Sequence, residues 1–304
     1  MLDKTQPRSR RSYWPVSRLV SNFRTDQHET RSSSVSTKLR ASRIVQALFF
    51  VAAASCVAAC AGTSKSNVSE QPWVSLFNGE DLTGWQVKFA GHPLGVNYKN
   101  TFRVENGYLS VNYDEYESFE GEFGHLFTEQ TYSHYLLRLE YRMLGEQTPG
   151  GPVWALRNNG IMLHSQSPAS MELEQLFPRS IEVQLLNGTE KEDRFNGNVC
   201  TPGTHIVIQG ELQTQHCIDS RSRTNFGNAW VSVEIEVRGD EYILQKINGV
   251  PTMQYSHPQI DLNDPGFPTI GLIDRAVIEQ GHIAIQAESH PTQFRKIEIL
   301  ILDQ

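Results

Sequence analysis

The chain has 304 residues, with 27 Lys and Arg against 34 Asp and Glu, a formal net charge of −7. The charge is uneven: residues 1–43 hold ten basic and three acidic residues, a net of +7, so the remainder carries −14. An acidic body lacks the basic face that nucleic acid requires, and about 230 residues are enough for one full core.

Residues 1–43 are Ser-rich and without apolar periodicity, and read as a disordered n-region or an over-long gene start. Residues 44–59 form an apolar run of the length of a signal-peptide core, short for a transmembrane span. It leads into Val57-Ala58-Ala59-Cys60, which resembles a bacterial lipobox. Small residues let a signal peptidase hold the chain extended, and the Cys60 thiol takes the lipid. Cys56 also follows small residues, but Cys60 has the better apolar residue three positions before it. The expectation is a protein of the bacterial cell envelope, lipid-anchored to the outer membrane and facing the periplasm, since Ala61 rather than Asp follows the cysteine. The alternatives are an ordinary secretory signal, which would make it a secreted protein, or an anchor helix. Residues 60–72 then comprise the lipidated cysteine and a polar tether, and 73–304 the folded domain.

From Trp73 the pattern is β. Tyr135–Arg142, Trp230–Arg238, Glu241–Asn248 and His282–Ala287 alternate with period two, punctuated by Gly, Asn, Asp and Pro. Asn248-Gly249 has the chemistry of a tight primed hairpin turn. No long segment holds a helical period; Thr128–Tyr132 reads as a helical turn at most. The predicted fold class is all-β, a two-sheet antiparallel sandwich. Cys200 and Cys217, an even pair in an exported domain, predict a disulfide. A metal site using His205 and His216 is the rival, with a spacing that fits no familiar zinc pattern.

The central stretch runs from Gly150 to Gly188. Its first apolar run carries Asn159 and ends at His164; its second, Ser180-Ile-Glu-Val-Gln-Leu-Leu, alternates so that Glu182 and Gln184 share one face. Such a face is either a sugar-binding surface or a half-exposed antiparallel strand.

Asn158-Asn-Gly-Ile-Met-Leu-His164 followed by Pro178-Arg-Ser-Ile-Glu-Val-Gln-Leu-Leu186 resembles the central signature of the 3-keto-disaccharide hydrolase family. Three further blocks are similar in the same order: Leu76–Trp85, Leu126–Arg142 and Gly281–Ile297. The resemblance covers roughly residues 73–302. It implies a concanavalin-like jelly roll, as in lectins and glucanases, and hydrolysis or elimination on glycosides whose ring carries a ketone at C3. A ketone at C3 acidifies the C2 proton; a base then removes that proton and the group on C1 departs. The protein must supply the base and donors for the developing enolate oxygen. The residues assign no cofactor outright, and a divalent metal (Ca, Mn or Zn) could serve as the Lewis acid.

His164 and Glu182 are the catalytic candidates. His164 suits a base or metal ligand, although family members often place Arg there. Glu182 and Gln184 match the family's Glu-Val-Gln block, and Gln286 and Glu288 its closing Gln-x-Glu. With Asn159, Arg157 and the aromatic Trp154, the residues Gln184, Gln286 and Glu288 form the expected substrate-binding set. Glu182 could instead pair with Arg142 or Arg157, and Trp85, Trp154 and Tyr108 are core or stacking aromatics.

Two other functions compete. Retaining jelly-roll glucanases set two carboxylates about 5 Å apart, whereas here Glu182-Val-Gln184-Leu-Leu-Asn187 places amides where the further acids should be. A carbohydrate-binding module without catalysis would use the same fold and aromatics. Serine-hydrolase, P-loop and dinucleotide motifs are absent.

Overall fold

The computed structural model describes residues 72–303. The basic segment, the apolar run and Cys60 with most of its tether lie outside the described residues. Among those described, no helix is long and apolar enough to cross a membrane.

The strands in chain order are β1 (Val74–Ser75), β2 (Trp85–Phe89), β3 (Phe102–Glu105), β4 (Tyr108–Val111), β5 (Gly124–Tyr132), β6 (His134–Met143), β7 (Asn158–Ser165), β8 (Ile181–Leu186) and β9 (Asn198–Cys200). They continue with β10 (Thr204–Ile208), β11 (Glu211–Gln213), β12 (Cys217–Ile218), β13 (Val231–Arg238), β14 (Tyr242–Ile247), β15 (Val250–Ile260), β16 (Gly281–Ala287) and β17 (Thr292–Ile301). Three short 3-10 turns are the only helical pieces among the described residues.

The strands form two antiparallel sheets of a jelly roll. One has ten strands, ordered β11-β10-β15-β14-β13-β6-β17-β4-β3 with β1 added on β17; the other has seven, ordered β12-β9-β8-β7-β16-β5-β2. Period-two alternation decides which face of each strand is buried between the sheets. Leu126, Ile161, Leu163, Val183 and Ile285 of the smaller sheet pack with Leu137, Tyr141, Ile235 and Phe294 of the larger in one core. The residues between them in sequence therefore point to the smaller sheet's outer face.

Asn248 and Gly249 have φ of 51° and 75°, and Ile247 pairs with Val250 across them, the geometry the Asn-Gly turn predicts. Thr128–Tyr132 is the end of β5 and not a helical turn, because it is paired to β16 and its start to β2; sheet pairing overrides a weak local preference. Cys200 and Cys217 face each other across β9 and β12 and are joined by a disulfide, with Cα atoms 4.1 Å apart and a sequence separation of 17. A crosslink closing a loop of this size contributes about 3 kcal/mol.

The connection from β7 to β8 folds back over the outer face of the smaller sheet. Its Met171 packs with Phe127, Met162 and Ala284 of that face. Its Phe177 contacts His125 and Phe123, with ring centroids 6.0 and 4.9 Å apart. The face that alternation would leave wet is thus roofed in part, and Lys88, His125, Glu182 and Gln286 are buried on it.

Candidate active site

Strand register lines up one polar row across the smaller sheet. Lys88 pairs with His125, His125 with Gln286, Gly160 with Gln184, and Gln184 with Asn198. Gln286 lies beside Gly160, since Ile285 pairs with Ile161. The neighbouring row is apolar with one exception: Phe127, Ala284, Met162, Glu182 and Cys200, in cross-strand order.

Glu182 leans from the apolar row toward the polar one, into the space that Gly160 leaves. A Cβ on residue 160 would lie 2.3 Å from Glu182 Oε1 and 2.9 Å from Gln286 Oε1. Glycine is needed here for close approach and not for an unusual backbone angle. Between Met162, Cys200 and the roof, burial pushes the Glu182 carboxyl up to about 8. Glu288 follows two residues after Gln286 and is 3 % exposed. Burial, and then the neighbouring Glu182 charge, hold it well above the carboxylate range. Two such carboxyls in one buried site do not both ionise readily, so the pair holds on to a proton.

Several polar atoms under the roof have no protein partner. Both ring nitrogens of His125, both amide atoms of Gln286 and Oε2 of Glu288 are buried and unpaired. Buried polar groups are ordinarily satisfied, so this concentration marks a place shaped for a polar ligand. Burial, then the Lys88 charge, push the His125 imidazole down to about 3, so it is neutral at neutral pH. Lys88 spends its three donors on the carbonyls of Phe89, His92 and Leu173, at 2.7, 3.0 and 3.2 Å. The last lies in the roof, and Gly91 N also donates to it at 2.7 Å. Gln184 accepts from Asn198 Nδ2 at 3.0 Å. Trp154, 42 % exposed, stacks on Phe123 at 5.8 Å and 11°, extending an aromatic wall that reaches His125 through Phe177.

Glu182, Gln184, Gln286 and Glu288 therefore share the outer face, as alternation predicts. His164 does not join them. Leu163 and His164 of β7 oppose the single residue Ile283 of β16, and in this bulge His164 adopts φ 49°. Its Nε2 lies 2.9 Å from the carbonyl of Gly239, in the turn between β13 and β14 of the other sheet. Burial lowers its pKa, and the charged neighbours acting on it are Asp240 and His134, not the acid pair. Asn159 shares the inward parity of Ile161; its Nδ2 donates to Gln286 O at 2.9 Å and its Oδ1 accepts from Gly160 N at 2.8 Å. It locks the two strands and presents no amide to a sugar. Arg157, just before β7, donates to the Gly227 carbonyl at the sheet's end, outside the polar row. Trp85 is core, with its Nε1 on Leu76 O at 2.7 Å. His125 and Lys88 were not anticipated. Their signal is parity: with Leu126 and Val87 inward, His125 and Lys88 must face outward.

Among the described residues no three His, Cys, Asp or Glu side chains converge as a metal-ligand set. His205 instead lies 3.5 Å from Asp261. The acid pair and the Gln286 amide do not make up a donor set of the usual kind for Zn, and no step below is routed through a metal.

Residues 72–300 match the family model described as a 3-keto-alpha-glucoside-1,2-lyase-like domain. Among solved structures, similar chains include a candidate glycosyl hydrolase of Parabacteroides distasonis, at 19 % identity and TM-score 0.43 over 76 % of this chain and 94 % of that one. A Bacillus licheniformis β-glucanase matches at 11 % identity and TM-score 0.42, over 78 % and 100 %. A carbohydrate-binding module of Bacillus subtilis matches at 8 % identity and TM-score 0.34, over 60 % and 89 %. No curated protein matches the chain. With the family model spanning the sandwich and the polar row at its centre, this chain belongs to the 3-keto-alpha-glucoside-1,2-lyase-like domain family.

Proposed function

We propose that the protein cleaves 3-keto-glycosides by removing the C2 proton and releasing the group on C1. The observation that carries this reading is the buried Glu182–Glu288 pair beside the unpaired His125 and Gln286 side chains. Two carboxyl groups sharing one buried site can divide the roles of base and acid, since one ionises while the other keeps its proton. Glu182, once ionised, takes the C2 proton. The C–H electron pair becomes the C1–C2 double bond, the C1–O bond breaks, and Glu288 gives its proton to the departing oxygen. Glu182 ends protonated and Glu288 ionised, so the pair's proton count is unchanged. A neutral His125 and the Gln286 amide are donors for the C3 oxygen as it gains negative charge. Addition of water to the double bond would complete a net hydrolysis.

Trp154 offers a ring face at the edge of the site, which also suits a non-catalytic carbohydrate-binding module. Matched 3-keto and parent glycosides separate the readings: turnover of the ketone alone supports the proposal, and binding of both without turnover supports the module.

We also propose that Cys60 carries lipid and holds the domain on the periplasmic side of the outer membrane, on the strength of the lipobox-like Val57–Cys60. Cys60→Ser is expected to move the protein from the membrane fraction or to stall processing. Unchanged fractionation and migration would contradict it.

A further inference from the structure

Arg157 and Arg194 lie together where the chain enters β7, and His290 follows Glu288 by two residues in the β16–β17 connection. Arg157 immediately precedes β7, with φ 51°, and its Nη2 donates to the Gly227 carbonyl. Arg194, in the β8–β9 connection, donates Nη2 to Leu156 O at 2.8 Å, which sets it against the residue before Arg157. His290, in the β16–β17 connection, is 1 % exposed.

What these three side chains leave unused is the informative part. Nε of Arg157, Nε of Arg194 and both ring nitrogens of His290 are buried without a partner. None of the three takes part in an ion pair among the described residues. Backbone carbonyls satisfy one donor of each guanidinium but do not neutralise its charge. Burial, then the charges of Arg157 and Arg194, push the His290 imidazole down to about 4, so all three groups are close enough to feel one another. Burial also lowers the Arg194 pKa, with Arg157 acting in the same direction; exposed Glu192 is the only acid acting on it.

Two half-buried guanidiniums without a carboxylate between them repel each other, an arrangement that a bound anion relieves. Guanidinium forks fit the oxygens of carboxylates, sulfates and phosphates, and a neutral imidazole N–H adds a third donor. The surroundings sharpen the point. Beyond residue 43 the chain carries a net charge of −14, so two arginines without an acidic partner run against its overall balance.

We propose that Arg157, Arg194 and His290 form an oxyanion subsite that takes a carboxylate, sulfate or phosphate group carried by a carbohydrate ligand. The substrate class this names, an acidic glycoside, rests on the carbohydrate-cleaving reading above; the subsite itself does not.

The test is binding without turnover. The His290 imidazole is followed by NMR during titrations with glucuronate, sulfate and phosphate, with glucose and sodium chloride at matched ionic strength as controls. Saturable shifts with at least one oxyanion, absent with glucose and chloride, are expected, together with a rise in the His290 pKa as the anion offsets the two guanidiniums. The three anions distinguish which oxyanion the subsite favours. Arg194→Gln should weaken that binding about tenfold or more, and Arg157→Gln provides a second variant should the first misfold. The absence of a saturable shift with any oxyanion, or affinity unchanged in a folded variant, would overturn the subsite. Oxyanion binding alongside no turnover of any 3-keto-glycoside would leave the subsite standing and remove the catalytic reading; turnover without oxyanion binding would do the reverse.

Discussion

Glu182 occupies the space that a side chain at residue 160 would fill: its Oε1 lies 2.3 Å from where the Cβ of Gly160 would be. One strand supplies the carboxyl and its neighbour supplies the room. Gly160→Ala should therefore push both the Glu182 and Gln286 side chains aside. The expected result is a folded protein, destabilised by about 1–3 kcal/mol from overpacking, with kcat reduced far more than KM is raised. Denaturant unfolding and steady-state kinetics on a 3-keto-glycoside check this. An alanine variant with wild-type kcat would mean that the carboxyl position is not critical.

The acid pair predicts how stability depends on pH. The folded-state pKa of Glu182 is raised from 4.5 to about 8, and Glu288 also lies well above its ordinary value. Between the unfolded and folded values the native state holds protons that the unfolded chain releases, so stability falls as pH rises from about 4.5 through 8. Glu182→Gln removes this penalty. It should match wild type near pH 4 and exceed it near pH 9 by about 1 kcal/mol or more. Urea unfolding at the two pH values measures the difference; a variant equally or less stable at pH 9 would argue against the raised pKa.

Lys88 fastens the roof by donating to Leu173 O, and its other two donors cap the carbonyls of Phe89 and His92. Lys88→Met leaves three carbonyls without that partner, at a cost of about 1–3 kcal/mol. The loosening should be local. Amide hydrogen exchange across Met171–Gln175 should quicken in the variant while the β6 and β13 amides stay protected. Unchanged exchange across that segment would show that the roof is held by other contacts.

Much of this was readable in the chain. The alternation in Ile181–Leu186 places Glu182 and Gln184 on one face, and the same parity carries Gln286 and Glu288. It does not reveal that the face is roofed, because Met171 and Phe177 reach it through tertiary packing. His164 leaves the polar row because a bulge breaks period two without changing composition. Asn159 shares the inward parity of Ile161, so its amide is taken up between β7 and β16. His125 and Lys88 come from distant strands, and only the register of β2, β5 and β16 brings them to the acid pair.

The central claim is that Glu182 moves a proton on a ring activated by a ketone. It is tested most directly by comparing wild type with Glu182→Gln on matched 3-keto and parent glycosides, with and without a chelator. The account predicts turnover of the ketone only and a fall in kcat of roughly 10²–10⁴ in the variant; loss of turnover with the chelator, restored by Ca, Mn or Zn, would place a metal at the enolate oxygen. Equal turnover of the ketone and its parent, or a variant as fast as wild type, would contradict it.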